Sequence, residues 1–424
     1  MDRLIGKTVG TLIILALALC VSAFASESRL PSDGIAEDQS DRPYNEMTIY
    51  PDGTGDVPTI QEAIDIIIPG GIIYLGDGVF SGFGNYGLVF DGKELTLRSL
   101  SLVAEACVID CGSPPSPGAN DSGYNHDAPP PYHIDRDRPP TPRGFTFDSG
   151  EGPNTIIRGI TVINGFTNKG GGVFISGSSP TIEDCIFQNN HAPWEGGGAY
   201  IEYSSAHFAR CVFSNNQAGW GGGLSVYGLG SSPFIEDCII TDNSATEVGG
   251  GIDIHNQASP IVTFCQIQGN EANWGGGLAV EQSSYLELRY CTITENSANE
   301  GGGIYANNSF QCWFNIISYS SEGGAFMYTM PDSRELPNIA CCNFSGNAEG
   351  DWEDEIAPLL NNDGNFSEDP QYCGSIGTGN ISLQSDSPCL AAHNDCAQQI
   401  GAMPMGCGSS ASLVSSWSQV KALY

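Results

Sequence analysis

Between Gly170 and Ala306 the chain repeats one pattern of apolar and polar positions. After each run of three glycines the residues alternate. Val173, Ala199, Leu224, Ile252, Leu278 and Ile304 form one apolar column, and Ile175, Ile201, Val226, Ile254, Val280 and Ala306 form another two residues on. A period of two with one apolar set predicts a strand with one buried face. A further stretch carries Ile182, Cys185, Phe187 and their equivalents, so each repeat predicts two or three short strands joined by turns. No single copy can bury its own apolar face. Neighbouring copies must therefore stack at the strand spacing of about 4.8 Å.

Three residue types hold register in this region. Glycine triplets begin at Gly170, Gly196, Gly221, Gly249, Gly275 and Gly301, in steps of 26, 25, 28, 26 and 26 residues. Cys185, Cys211, Cys238, Cys265 and Cys291 keep the same beat, and five residues beyond each stands Asn190, Asn216, Asn243, Asn270 or Asn296. A degenerate earlier copy has Ile160 and Gly165 in these places, and a late one has Cys342 and Asn347. Such a period without helical patterning predicts an all-β solenoid. Glycine supplies positive φ and close backbone approach. Asparagine tolerates the left-handed region, and stacked copies can hydrogen-bond along the axis. The cysteines are expected to point inward as small hydrophobes. Stacked cysteines lie within disulfide reach, yet five in line cannot all pair, so thiols are the expectation.

The motifs themselves carry a resemblance. Gly197-Gly198-Ala199-Tyr200, Phe187-Gln188-Asn189-Asn190, Phe213-Ser214-Asn215-Asn216 and Phe344-Ser345-Gly346-Asn347 stand in the chain. They resemble the GGA(I/L/V) and FxxN motifs of bacterial right-handed parallel β-helix repeat proteins, the polymorphic outer-membrane proteins among them. The likeness runs over roughly residues 45–405. It implies a right-handed parallel β-helix of the pectin-lyase-like kind and is much less specific to function. The stretch TIYPDGTGDVPTIQEAI looks like the start of many such proteins. Within it Thr59 and Glu62 form a capping box, and Ile60, Ala63, Ile64 and Ile67 share a face, which predicts a short helix over the open core end. Ser387-Pro388-Cys389 with Ile400-Gly401-Ala402 resembles the closing segment of many secreted β-helix proteins.

The remaining segments set the organisation. Residues 1–25 read as an export signal: Arg3 and Lys7, an apolar run from Leu12 to Val21, then Ala23-Phe24-Ala25 before a cut at Ser26. A lipoprotein site at Cys20 is the weaker alternative, because Leu19 is large for the residue before a lipidated cysteine. Residues 45–111 are read as the cap and first coils, 112–143 as a Pro-rich inserted loop, 144–347 as the repeat body, 348–407 as a closing coil or cap, and 408–424 as a tail. Export permits disulfides. Cys373, Cys389, Cys396 and Cys407 fall outside the repeat, and of their three connectivities Cys389–Cys396 with Cys373–Cys407 is preferred. Cys107 and Cys111 are a further candidate pair.

Charge narrows the partners. The chain of 424 residues has 15 Lys+Arg against 49 Asp+Glu, a formal charge of −34. Such a surface repels nucleic acid and anionic lipid. Solubility explains the acidity plainly; Ca²⁺ binding is the functional alternative, although no ordered Ca²⁺ loop pattern occurs. His126, His133, Asp135 and Asp137 in the inserted loop match no ligand spacing, so no metal site is assigned. No segment after the signal is expected to cross a membrane as a helix. A monomer, secreted or held at the bacterial cell surface, is expected.

The resemblance implies polysaccharide lyases, esterases or hydrolases, but their machinery is missing. The polygalacturonase-type NTD, DD, GHG and RIK motifs are absent, and the repeat has no cluster of Arg or Lys. What remains is the outward face of the strand after each glycine triplet. Phe174, Tyr200, Ser225, Asp253, Ala279 and Tyr305 form one column, and Ser176, Glu202, Tyr227, His255, Glu281 and Asn307 the next. Trp194, Trp220 and Trp274 stand just before the triplets. Aromatics beside carboxylates and amides suit sugar rings. Ligand-binding candidates are therefore Trp194, Tyr200, Glu202, Trp220, Tyr227, Trp274 and Tyr305. Asp253, His255 and Glu281 are the candidates for acid, base or cation ligand. The plainer reading makes all of these ordinary outward residues. Two functions compete: a non-catalytic protein binding polysaccharide or cell-surface glycan, and a lyase or hydrolase acting on an extracellular uronic-acid polymer.

Overall fold

Short strands recur at the same place in every turn of the chain and pair only in parallel with their equivalents one turn away. The computed structural model describes residues 44–112, 142–329, 336–375 and 380–407. The expected signal, the expected tail and nearly all of the inserted loop lie outside these residues. The architecture is a right-handed parallel β-solenoid. Its sheets hold eleven, ten and nine strands, and a fourth holds five. No helix among the described residues is long and apolar enough to cross a membrane.

A typical coil starts with Ala199–Glu202 in what we call the triplet sheet, continues through His207–Ala209 and Val212–Ser214, and ends with Gln217–Trp220. The fourth strand corrects the expectation of two or three per coil. It forms the five-stranded sheet of His191–Glu195, Gln217–Trp220, Ser244–Val248, Glu271–Trp274 and Ser297–Glu300, here called the ledge. These stretches lack apolar alternation, because each buries one alanine and only Ser244–Val248 adds a second apolar side chain, Val248. Ala192, Ala218, Ala245, Ala272 and Ala298 are buried. Register also shifts between Ala192 and Glu195, which breaks the period of two.

The glycine triplet turns the chain from ledge to triplet sheet. Its first glycine has φ between 63 and 67° in all six copies. The second is required by proximity: a Cβ on Gly222 would sit 2.5 Å from the Gly250 carbonyl oxygen on the next coil.

The asparagines form a ladder along the axis. Asn190 Nδ2 donates to Asn216 Oδ1 at 3.1 Å, and the bond repeats from Asn216 to Asn243, Asn243 to Asn270 and Asn270 to Asn296 at 3.0 Å. Each also donates to a carbonyl of the preceding coil, as Asn216 does to Phe187 at 2.9 Å. The left-handed residue, however, is the one before: Asn189, Asn215, Asp242, Gly269 and Glu295 have positive φ. The ladder asparagine is thus selected for its amide and its neighbour for its backbone.

The core is one continuous apolar column from Met47 to Ile356. Cys185, Cys211, Cys238, Cys265 and Cys291 lie in it as buried thiols. The helix Ile60–Ile66, capped by Thr59, buries Ile60, Ala63 and Ile64 at one end. At the other end Trp352 stacks on Phe344 with ring centroids 4.2 Å apart.

Two disulfides tie the closing segment. Cys373–Cys407 forms as expected. Cys396 pairs with Cys341, not Cys389, which corrects the other half of the preferred connectivity. Cys389 is instead a fully buried thiol packed beside Ile316, Leu383 and Ile400. Cys341 holds the left-handed corner position beside the inward Cys342, so its thiol reaches the returning chain. Cys107 and Cys111 remain buried thiols as well, one at the start of the strand Cys107–Asp110 and the other just past its end.

Candidate functional site

The triplet sheet and the ledge meet at an angle, and the outward side chains of one face the edge of the other. Strand alternation aims Tyr200, Ser225, Asp253 and Ala279 outward in register, opposite the core residues. All four are nevertheless fully buried. The next outward column, Ser176, Glu202, Tyr227 and His255, runs beside them, with Glu281 just past the following strand. We call the strip between this column and the ledge the groove, with the column as its floor; side chains of the two meet across it, as Glu195 and His255 do.

The ledge supplies the wall. Lys169 pairs with Glu195, Glu195 with Trp220, Trp220 with Val248, Val248 with Trp274 and Trp274 with Glu300. Trp220 and Trp274 therefore share a column, whereas Trp194 sits one residue out of it, displaced by the register shift. Trp194 is 47% and Trp220 40% exposed, while Trp274 is half-buried. Glu195 holds the wall position that the tryptophans hold elsewhere, and the pattern of aromatics alone did not single it out.

The groove joins residues from different coils into one polar network. Asp253 Oδ2 lies 2.6 Å from His255 Nδ1. His255 Nε2 faces Glu195 Oε2 at 3.7 Å, an ion-pair distance too long for a hydrogen bond. Lys169 Nζ lies 3.2 Å from Glu195 Oε1 and 3.0 Å from the Tyr200 hydroxyl. That hydroxyl donates to Glu202 Oε2 at 2.9 Å, and Ser176 Oγ donates to Glu202 Oε1 at 2.7 Å. The Lys169 ammonium lies over the rings of Tyr200 and Tyr227, 4.4 and 5.4 Å from their centroids. The Tyr227 ring meets His255 edge-on at 5.0 Å.

Burial shapes the ionisation here. It pulls His255 toward neutrality, but Asp253, then Glu195 and Glu281, outweigh it and raise the imidazole above its ordinary range. Glu281 is raised by burial first and by Asp253 second. Burial and the flanking Glu195 and Glu202 push the Tyr200 phenol far up, so it stays a donor. Among the described residues, Asp253 Oδ1 and Glu195 Oε2 are buried carboxylate oxygens with no hydrogen-bond partner. Such atoms cost free energy unless another term compensates.

The predicted residues thus separate. Tyr200, Glu202, Tyr227, Asp253, His255 and Glu281 converge, with Lys169 and Glu195 added to them by the coil stacking. Tyr305 stands apart, its hydroxyl accepting from Thr329 at 3.1 Å. No three His, Cys, Asp or Glu side chains among the described residues come together in a metal-holding cluster. A separate cleft of about 460 Å³, lined by Tyr319, Asp369, Tyr372 and Gln384, contains none of the predicted residues.

Comparison with known proteins agrees with the coils. A right handed beta helix region matches residues 146–233 and 171–334. No curated protein matches the chain. Among solved structures, the pectate lyase Pel9A is similar at 13% identity and a TM-score of 0.47, over 86% of this chain and 97% of that one. A pectin methylesterase from Aspergillus niger is similar at 13% identity and a TM-score of 0.33, over 80% of this chain and 94% of that one. The matched region and the stacked parallel coils together make this chain a right-handed parallel β-helix repeat protein.

Proposed function

We propose that this is an exported glycan-binding protein that holds a polysaccharide lengthwise in the groove between triplet sheet and ledge. The observation that carries the reading is the exposed Trp220 on a wall above the floor formed by Glu202, Tyr227, His255 and Glu281. Ring faces bind the apolar side of a sugar, and carboxylates and hydroxyls bind its rim. The strand spacing of about 4.8 Å is close to the length of one pyranose ring, so an extended chain meets one coil per sugar. The two disulfides support an oxidising compartment and hence secretion or display at the cell surface. A glycan array tests this: binding that falls in Trp220→Ala and Trp274→Ala supports the reading, and an array with no bound glycan removes it.

One observation favours a second, catalytic reading. Asp253 orients His255, and burial and Asp253 raise the Glu281 carboxyl above its ordinary range nearby, a combination found where protons are moved. A lyase or hydrolase predicts unsaturated or reducing-end products from a polysaccharide panel, lost in Asp253→Asn and in Glu281→Gln.

A further inference from the structure

We infer that the groove selects a glycan carrying free amino groups, such as a glucosamine polymer, over a uronic-acid polymer. The inference rests on the glycan-binding reading above and adds the charge of the ligand. Around the network stand four carboxylates, Glu195, Glu202, Asp253 and Glu281, against the ammonium of Lys169, the imidazole of His255 and the guanidinium of Arg143, which donates to Lys169 O at 2.8 Å. The groove is therefore net negative even with His255 protonated, within a chain of formal charge −34. An anionic polymer is repelled at long range and again on contact, whereas a cationic one is drawn in.

Two observations point beyond an acidic cluster. First, Asp253 is fully buried, yet among the described residues its Oδ1 has no hydrogen-bond partner, and the same holds for Glu195 Oε2. Each carboxylate is paired through its other oxygen, Asp253 with His255 and Glu195 with Lys169, so four carboxylates share few cations and one oxygen of each of these two is left over. Second, the groove already holds a primary ammonium. Lys169 Nζ lies 4.4 Å from the centre of the Tyr200 ring, 3.0 Å from its hydroxyl and 3.2 Å from Glu195. Aromatic faces with a carboxylate recognise ammonium groups by cation–π and ion-pair attraction. An amino sugar offers the same group on a ring that stacks on tryptophan. Further along the floor, Glu202 and Glu281 are half-buried and reachable from the groove. They lie three coils apart, so an extended amino-glycan brings ammonium groups to both.

The test is calorimetric titration of the full chain with four probes: a glucosamine hexamer, its N-acetylated counterpart, a galacturonate hexamer with and without Ca²⁺, and poly-lysine. The acetylated hexamer keeps the rings and loses the charge, and it is expected to bind about tenfold more weakly, the scale of one close charge pair. Affinity for the amino form is expected to fall with salt, and to fall several-fold in Glu281→Gln and in Glu202→Gln. Both variants keep the side-chain shape, and circular dichroism checks their folding. Trp220→Ala is expected to weaken both glucosamine oligomers. Equal or tighter binding of the acetylated or galacturonate hexamer overturns the charge selectivity alone and leaves glycan binding standing. Poly-lysine bound as tightly per charge as the amino hexamer overturns the glycan part of the inference. No binding of any sugar overturns both this inference and the function it rests on.

Discussion

Asp253 Oδ2 lies 2.6 Å from His255 Nδ1, two residues along one strand, and both side chains are buried on the outward face of the solenoid. A strand brings residues i and i+2 to the same face, so the pair is local. Its protonation is not local, because Glu195, Glu281, Lys169 and Tyr227 on other strands and coils face the same imidazole or its partners.

The pH dependence of stability follows from this. A folded-state value above the unfolded one adds stability that is complete below the unfolded value and is lost as pH rises through the folded value. His255 is raised in this way, and the raised Glu281 acts in the same sense, since folding favours its protonated form. The melting temperature is expected to fall as pH rises from roughly 6 to 8, and less steeply in His255→Gln. Calorimetric melts of both proteins across that range check it, and equal slopes would exclude His255 as the source.

The asparagine ladder carries a stability prediction. Asn243 is buried; its amide donates to Phe213 O and Asn270 Oδ1, and its Oδ1 accepts from Asn216. Asn243→Ala leaves several buried groups unpaired, at about 1–3 kcal/mol each, so a loss of roughly 3 kcal/mol or more is expected. Urea denaturation followed by circular dichroism measures it. A change below about 1 kcal/mol would mean that water replaces the ladder.

Glycine positions should differ sharply in tolerance. Gly222→Ala places a methyl 2.5 Å from two carbonyl oxygens, those of Gly250 and Ser244, and both belong to backbone. Gly152→Ala meets only the Glu94 carboxylate at 2.9 Å, the end of a flexible side chain. The first is expected to unfold the chain or lower its stability by more than about 3 kcal/mol, the second by less than about 1 kcal/mol. Thermal melts of the two variants decide, and similar losses would contradict the stacking described.

The cysteines predict a reactivity pattern. Burial pushes the Cys389 thiol up to about 12 and Cys107 to about 12, and raises Cys185 well above its ordinary value. These thiols are expected to resist alkylation in the native chain and to react fully in denaturant. Peptide mapping without reduction should recover Cys341 linked to Cys396 and Cys373 linked to Cys407. Recovery of Cys389 linked to Cys396 would restore the connectivity that the sequence alone favoured.

What the sequence determined by itself is the coil. Gly, Cys and Asn stack on their own copies, so each physical requirement is written once per repeat and can be read from spacing. The inward columns and the buried thiols of the coils were legible for this reason, whereas the helical cap at Thr59 was legible from its own capping box and Cys373–Cys407 from the cysteines left outside the repeat. The ledge was missed because its strands bury little more than one alanine each, too small a signal for periodicity. Cys341–Cys396 was missed because it depends on where the closing segment returns, not on any repeated position. The groove was half legible. Alternation placed Asp253, His255 and Glu281 outward, but only tertiary structure could bury Asp253 and His255, bring Glu195 to His255 and set Lys169 on Glu195, Tyr200 and Tyr227. The Glu195–His255 ion pair joins residues 60 positions apart and the Lys169–Tyr227 ring contact residues 58 apart, through side chains long enough to span two coils, and no local pattern records a reach of that kind.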